Sequence, residues 1–211
     1  MLNMEFDATV MVNLQLEPWL SSPMPGVERK PLARESAERG HATSIVRYLP
    51  GSVFRAHPHP LGEEILVLEG VFSDESGDFP AGSYFRNPPG SSHAPYSKDG
   101  CVLFVKLHQF QPSDQEHVVT KVESDQLVPG VPVVLHQFGD EQVCLVCVTP
   151  STKDLLCDWF QGSLEMLIIR GDIEYAGVSL PALSWLRTPM LNWSDCKVEA
   201  EVILWLKIGH F

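Results

Sequence analysis

The chain has no apolar run approaching the roughly 20 residues that a helix needs to cross a bilayer. Its first residues carry no basic start, apolar core and small-residue cleavage site, so no secretory leader is read and a cytoplasmic protein is expected. Basic residues are scarce: 15 Lys and Arg stand against 27 Asp and Glu, a formal charge of -12, and no basic patch is visible. That excludes the electrostatic footprint of a nucleic-acid binder. The five cysteines, at 101, 144, 147, 157 and 196, are odd in number and scattered, and supply no disulfide framework. Cys144 and Cys147 form a C-x-x-C inside the apolar run 143–148. Residues three apart on a strand point to opposite faces, which favours buried core thiols over a redox or zinc pair. Long helices are excluded by 17 prolines and 15 glycines spread along 211 residues.

Short apolar runs remain, at 44–49, 65–72, 101–107, 143–148, 164–173 and 198–208, each bounded by Pro, Gly, Asn or Asp. This pattern is that of an all-β sandwich or barrel. A turn of helix is expected at most near 113–117 or in the N-terminal arm.

A shift of 101 residues superimposes the chain on itself. Glu64 meets Glu165, Gly70 meets Gly171, Pro80 and Ala81 meet Pro181 and Ala182, and Ser83, Arg86 and Pro88 meet Ser184, Arg187 and Pro189. Leu103, Lys106 and Phe110 then meet Leu204, Lys207 and Phe211 without a gap. Upstream the register slips by one, since Pro50 best meets Pro150. Two related domains are therefore expected, 1–115 with the N-terminal arm and 116–211, with the boundary among residues 112–122.

The first half carries His57-Pro-His59, Glu63 and, after Pro88-Pro-Gly90, His93. On a strand, 57 and 59 project to the same face. A neighbouring strand across a hairpin brings Glu63 beside them, and a further strand or its turn delivers His93. Imidazole with carboxylate suits zinc, iron, manganese, nickel or copper better than calcium or magnesium. An octahedral ion held by four such groups keeps two positions for water or substrate. Glu64 is the rival ligand, but as Glu63's neighbour on a strand it faces the other way.

These spacings resemble the paired motifs of the cupin superfamily. The strings Pro25-Gly-Val-Glu-Arg-Lys-Pro31, Ile65 through Gly82 and Arg86-Asn-Pro-Pro-Gly-Ser-Ser-His93 resemble, more narrowly, the C-terminal cupin domain of the anti-sigma factor ChrR. The likeness is close from about residue 19 to 110. It implies a double-stranded β-helix, or jelly-roll, barrel, here duplicated as a bicupin, and one divalent metal, zinc in that type of domain, at His57, His59, Glu63 and His93. ChrR proteins hold their sigma factor through a separate N-terminal helical zinc domain, and the first 18 residues here contain neither His nor Cys. At the corresponding positions of the second half stand Cys157 or Asp158, Trp159 or Phe160, Ser163 or Leu164, and Ser194. A degenerate barrel without metal is expected there, filled by Trp159, Phe160, Trp185 and Trp193.

Two functions follow from the resemblance. One is a stress- or oxidant-related sensor that binds zinc and a small molecule and signals to a regulatory protein. The other is an iron(II) dioxygenase cleaving a small diketone or hydroxyketone, with Phe54, Tyr84 or Phe85 shaping a pocket and Arg47 or Arg86 orienting an anion. A homodimer is compatible with either, and neither involves nucleic acid or a membrane.

Overall fold

The computed structural model describes residues 1–36 and 40–211. Nearly all regular structure is antiparallel strand. By its contacts the chain divides into one unit of residues 1–4 and 18–122 and another of residues 5–17 and 123–211. The expected division after residue 115 differs from this grouping in two places. The strand Val118–Lys121 pairs with Ser83–Asn87 and so extends the first sheet. The strand Val10–Asn13 pairs with Ser184–Leu191 and so extends the second.

In the first unit the main sheet runs in the order Val118–Lys121, Ser83–Asn87, Glu63–Asp74, Cys101–Leu107, Ala42–Tyr48, Val27–Arg34, Leu20–Ser21. In the second it runs Val10–Asn13, Ser184–Leu191, Gly162–Arg170, Val202–Ile208, Glu141–Val148, Val133–Phe138. Over six strands the two orders correspond, with Val10–Asn13 in the place that Val118–Lys121 takes in the first unit, and Leu20–Ser21 extends the first sheet by one more. Short strands close each barrel: in the first unit Gly77–Pro80, Tyr96–Ser97, Ser52–Val53 and the pair His57–Pro58 with Ser92–His93, and in the second Val178–Leu180, Ile173–Tyr175 and Cys196–Lys197.

The sequence repeat maps onto this register. Glu64 has Arg86 as cross-strand neighbour on one side and Lys106 on the other. Glu165 has Arg187 and Lys207 in the same relation. All six are at most 3% exposed. Arg86 bonds both Glu64 and Asp114 and stacks over Phe110, with its guanidinium carbon 3.9 Å from the ring centre. Arg187 sits over Phe6 at 4.4 Å and Phe211 at 5.9 Å, and Glu165 accepts from Trp185 Nε1 at 2.8 Å, as Glu64 accepts from Tyr84 Oη at 3.1 Å. The two glutamates thus lie on the face of the sheet opposite the interior, each bonded there by an aromatic side chain of the flanking strand, Tyr84 or Trp185.

The barrel interiors are apolar. Ile65, Val67, Phe72, Phe85, Leu103 and Val105 form the heart of the first cluster, and Cys144, Met166, Leu186, Leu204 and Leu206 belong to the second. Cys147 lies outside that second cluster although equally buried, so the C-x-x-C does point to opposite faces. No helix forms at 113–117; among the described residues the helical turns are the 3-10 segments Ser124–Gln126, Lys153–Asp158 and Trp193–Asp195. Among the described residues no helix is long and apolar enough to cross a membrane.

Each long central strand contains a bulge, after Val67 in the first unit, beyond which the strand goes on to pair with Gly77–Pro80, and after Ile168 in the second, close to the strand's end at Arg170. Gly70 follows the first bulge with φ +72°, and a Cβ there would collide with the Gly100 carbonyl oxygen. Gly51 has nearly the same φ, +78°, with open space around it. Gly51→Ala is expected to cost about 1 kcal/mol, the left-handed penalty alone, and Gly70→Ala about 3 kcal/mol, since backbone must also move. Paired urea unfolding curves of the two variants measure the difference.

Candidate metal centre

The strand His57–Pro58 lies antiparallel to Ser92–His93, with His57 directly opposite His93. His59 follows in the turn, its amide donating to the Ser91 carbonyl and its carbonyl accepting from Gly90. The turn closes at Gly62, φ +83°, and Glu63 opens the long central strand. Three segments thus converge, and His57, His59, Glu63 and His93 each offer a ligand atom within 4.8 Å of the others. Three of the four side chains are buried, with His59, Glu63 and His93 at 3, 6 and 5% exposure. The imidazole centres are 4.6 to 5.2 Å apart.

The partners of the outer ring nitrogens fix the tautomers. His57 Nδ1 lies 3.2 Å from the Arg55 carbonyl oxygen, and His93 Nδ1 lies 3.1 Å from Asp74 Oδ2. His59 Nδ1 lies 3.1 Å from Ser91 Oγ, whose own proton goes to the Pro88 carbonyl. Each of these oxygens accepts, so each Nδ1 carries the hydrogen and each Nε2 keeps its lone pair for the centre. His59 Nε2 is buried without a hydrogen-bond partner. Glu63 Oε2 lies 3.3 Å from it and 3.4 Å from His93 Nε2, and is held by a hydrogen bond that Asn87 Nδ2 donates at 3.1 Å. Lone pairs and a carboxylate facing one another in a buried space repel unless a cation or a proton lies between them. The residues therefore fit a metal: three neutral imidazoles and one carboxylate could hold a divalent ion of the zinc, iron, manganese or nickel type.

Burial, reinforced by His93 and His57, lowers the His59 pKa to about 3. Burial also lowers that of His93, with the Asp74 hydrogen bond opposing it. Both rings are neutral, the form that ligates. Burial raises Glu63 to about 7, against the Asn87 hydrogen bond and helped by Asp74.

A cavity of about 300 Å³ inside the first barrel reaches His57, His59 and Glu63. Its walls are mainly apolar, among them Val46, Phe54, Leu103 and Val105, and its polar residues include Arg29 and Arg34. His108, with φ +60°, is also on the wall.

Of the residues expected to shape a pocket, Phe54 lines this cavity, whereas Tyr84, Phe85, Arg47 and Arg86 do not. Tyr84 and Arg86 serve Glu64 on the opposite face, Phe85 packs in the core, and Arg47 pairs with Glu28 and stacks 4.1 Å over Trp19. Glu64 itself faces away from the histidines, as alternation requires. Asp74, Asn87 and Ser91, which orient three of the four side chains, and Arg29 and Arg34 were not legible as site residues. Asp74 reads as a hairpin residue, and pairing between distant strands is invisible in a linear sequence.

In the second unit Leu164 takes the place of Glu63 and is buried in the core, while Ser163 donates to the Phe211 carbonyl. A 3-10 segment that includes Cys157 stands where the first unit has its histidine strand, and Ser194 is exposed and bonded to Asn192. Phe160 and Trp193 fill the interior as expected. Trp159 does not, being 50% exposed, and Trp185 lies outside the interior cluster because its indole serves Glu165.

The family model described as the ChrR Cupin-like domain matches residues 7–111. No curated protein matches the chain. Among solved structures, a candidate dioxygenase from Nostoc punctiforme superimposes with a TM-score of 0.72 at 11% identity, covering 97% of this chain and 83% of that one. The pirin YhhW from Escherichia coli, in complex with nickel(II), gives 0.67 at 11% identity over 97% and 100% of the two chains. A cupin 2 conserved barrel domain protein from Leptotrichia buccalis gives 0.54 at 9% identity over 99% of each. At these identities the likeness is one of fold, and the fold is the cupin barrel.

Glu63 gives the centre a pH signature. Its ordinary value near 4.5 rises to about 7 on folding, so ionising it costs the metal-free protein stability as pH rises through that window. Metal-free Glu63→Gln is expected to exceed the wild type by about 3 kcal/mol near pH 8, with the difference gone near pH 4. Chemical denaturation of chelator-treated protein across this range checks it.

Proposed function

We propose that the first barrel, in a chain whose residues 7–111 match the ChrR Cupin-like domain model, binds one divalent metal ion through His57, His59, Glu63 and His93 and presents it to a small molecule, as a sensor or ligand-binding module. The observation that carries this reading is the cavity of about 300 Å³ that reaches three of the four residues. Structural zinc sites are closed by four protein ligands, commonly including thiolates. Here every donor is nitrogen or oxygen, and one side of the group faces open space. Asp74, Ser91 and the Arg55 carbonyl hold the imidazole planes, Asn87 holds the carboxylate, and the apolar walls keep bulk water from the ligand. The ion itself would act as a Lewis acid toward ligand oxygens and, if iron, would also supply redox chemistry. A regulatory protein partner and a homodimer belong to this reading as further expectations.

The same cavity favours a second reading, an iron(II) dioxygenase acting on a small diketone or hydroxyketone, because an apolar chamber beside an accessible ion suits an oxygen-bearing organic substrate. Zinc has no redox chemistry, so the identity of the metal separates the two.

Protein purified anaerobically without metal supplementation, and assayed by elemental mass spectrometry, is expected to carry about one metal per chain, with a loss of at least roughly tenfold in His57→Ala and His93→Ala. Zinc favours the sensor, and iron directs a diketone screen with an oxygen electrode. Absence of metal, or metal content unchanged in both variants, would contradict the site.

A further inference from the structure

One strand of the cavity wall carries two hydroxyl groups that no described residue partners. The strand Ala42–Tyr48 alternates, so that Ala42, Ser44, Val46 and Tyr48 line the cavity while Thr43, Ile45 and Arg47 do not. On the strand beside it Leu103, Val105 and Leu107 line the same wall. The hydroxyls of Ser44 and Tyr48 thus stand on an otherwise apolar surface. Both residues are 6% exposed, and neither side chain has a hydrogen bond to a described residue.

Tyr48 is the more telling of the two. A buried phenol ordinarily has a hydrogen-bond partner, and one without it bears the desolvation cost of its O–H group. Tyr84, equally buried in this barrel, shows the ordinary arrangement, its hydroxyl donating to Glu64 at 3.1 Å. The Tyr48 oxygen is still reachable by solvent, and with the residue on the cavity wall an occupant of the cavity is the partner open to it. The phenol also stands close to the metal centre. The Phe54 ring packs against Tyr48 at 5.3 Å and against His57 at 5.6 Å, and the Phe72 ring packs against Tyr48 at 5.8 Å and against His93 at 5.7 Å. These two rings hold the tyrosine ring in place before any ligand arrives. Burial, with the charge of Glu63 adding to it, pushes the phenol well above the usual tyrosine range, so the group remains a donor.

We infer that Tyr48 is a specificity-determining residue of the first barrel, its phenol donating a hydrogen bond to an oxygen of a ligand whose body is otherwise apolar. The inference rests on the small-molecule reading of the same cavity and does not require the ion. A site with a buried donor discriminates against a molecule of the same shape that lacks the acceptor, because the donor is then left unpaired. The cavity volume equals that of about ten waters, which is room for a molecule of roughly ten heavy atoms.

Acetophenone and α-methylstyrene are suitable probes, since they share a shape and differ in carrying C=O or C=CH2. Binding of each is measured by equilibrium dialysis against full-length protein, metal-loaded and chelator-treated, with metal content determined in every sample. Acetophenone is expected to bind at least about fivefold tighter than α-methylstyrene, and the preference to fall within about twofold in Tyr48→Phe, which keeps the ring and loses the hydroxyl. It should survive in Ser44→Ala. In difference infrared spectra the carbonyl stretch of bound acetophenone is expected at lower frequency in the wild type than in Tyr48→Phe, a change that altered packing alone would not give. Equal binding of the two probes, binding of neither, or a preference that persists in Tyr48→Phe would overturn the inference. A preference that disappears with chelation yet persists in Tyr48→Phe would assign the oxygen to the ion and overturn it as well. A tyrosine-dependent preference in protein that takes up no metal would sink the metal reading and support this one.

Discussion

Glu64 accepts from Arg86 and Tyr84 and has Lys106 as its neighbour on the other flanking strand, and Arg86 is held in turn by Asp114 and the ring of Phe110. This buried polar cluster fixes the register of the strand Glu63–Asp74, and the register decides everything on its other face. A slip of one residue would exchange the faces of all its side chains, placing Glu63 outside and leaving Glu64 among the imidazoles. Removing one partner from such a cluster strands an unpaired charge in the interior, so the register is strongly specified. Glu63 can then be spent on chemistry because its neighbour secures the strand.

The second unit shows the two roles separated. It retains the cluster as Glu165, Trp185, Arg187 and Lys207, with His210 2.9 Å from Glu165, and the same strand order follows. It does not retain the site: Leu164 stands in the register of Glu63, and Phe160 and Trp193 occupy the interior. The repeat thus preserves what folds the barrel, while among the described residues the group of side chains that could hold a metal lies in the first copy.

This division explains what could be read from the amino-acid sequence. The all-β class, the duplication and the four converging side chains were legible, because glycine and proline punctuation, matched polar residues and short-range ligand spacing are all local signals. Tyr84 and Arg86 were misplaced as pocket residues because the same alternation that separates Glu63 from Glu64 also assigns their partners, and that needs the pairing between distant strands. Arg29 and Arg34 escaped notice for a related reason. Only the bulge between Pro31 and Ala33 brings them to one face, and bulges leave little trace in sequence. The strand Val10–Asn13 was read as part of an arm of the first half because nothing in its four residues shows that it pairs with Ser184–Leu191.

At the centre the Nε2 atoms of His59 and His93 face the Glu63 carboxylate and His57 stands within ligand distance of them, each Nδ1 being anchored to an acceptor, and this arrangement fits a metal ion. X-ray absorption at the edge of the bound metal tests it most directly. The account predicts a first shell of nitrogen and oxygen at about 2.0–2.2 Å with imidazole scattering and no sulfur. A shell containing sulfur near 2.3 Å would place the metal on cysteines instead, none of which belongs to this centre, and would contradict it.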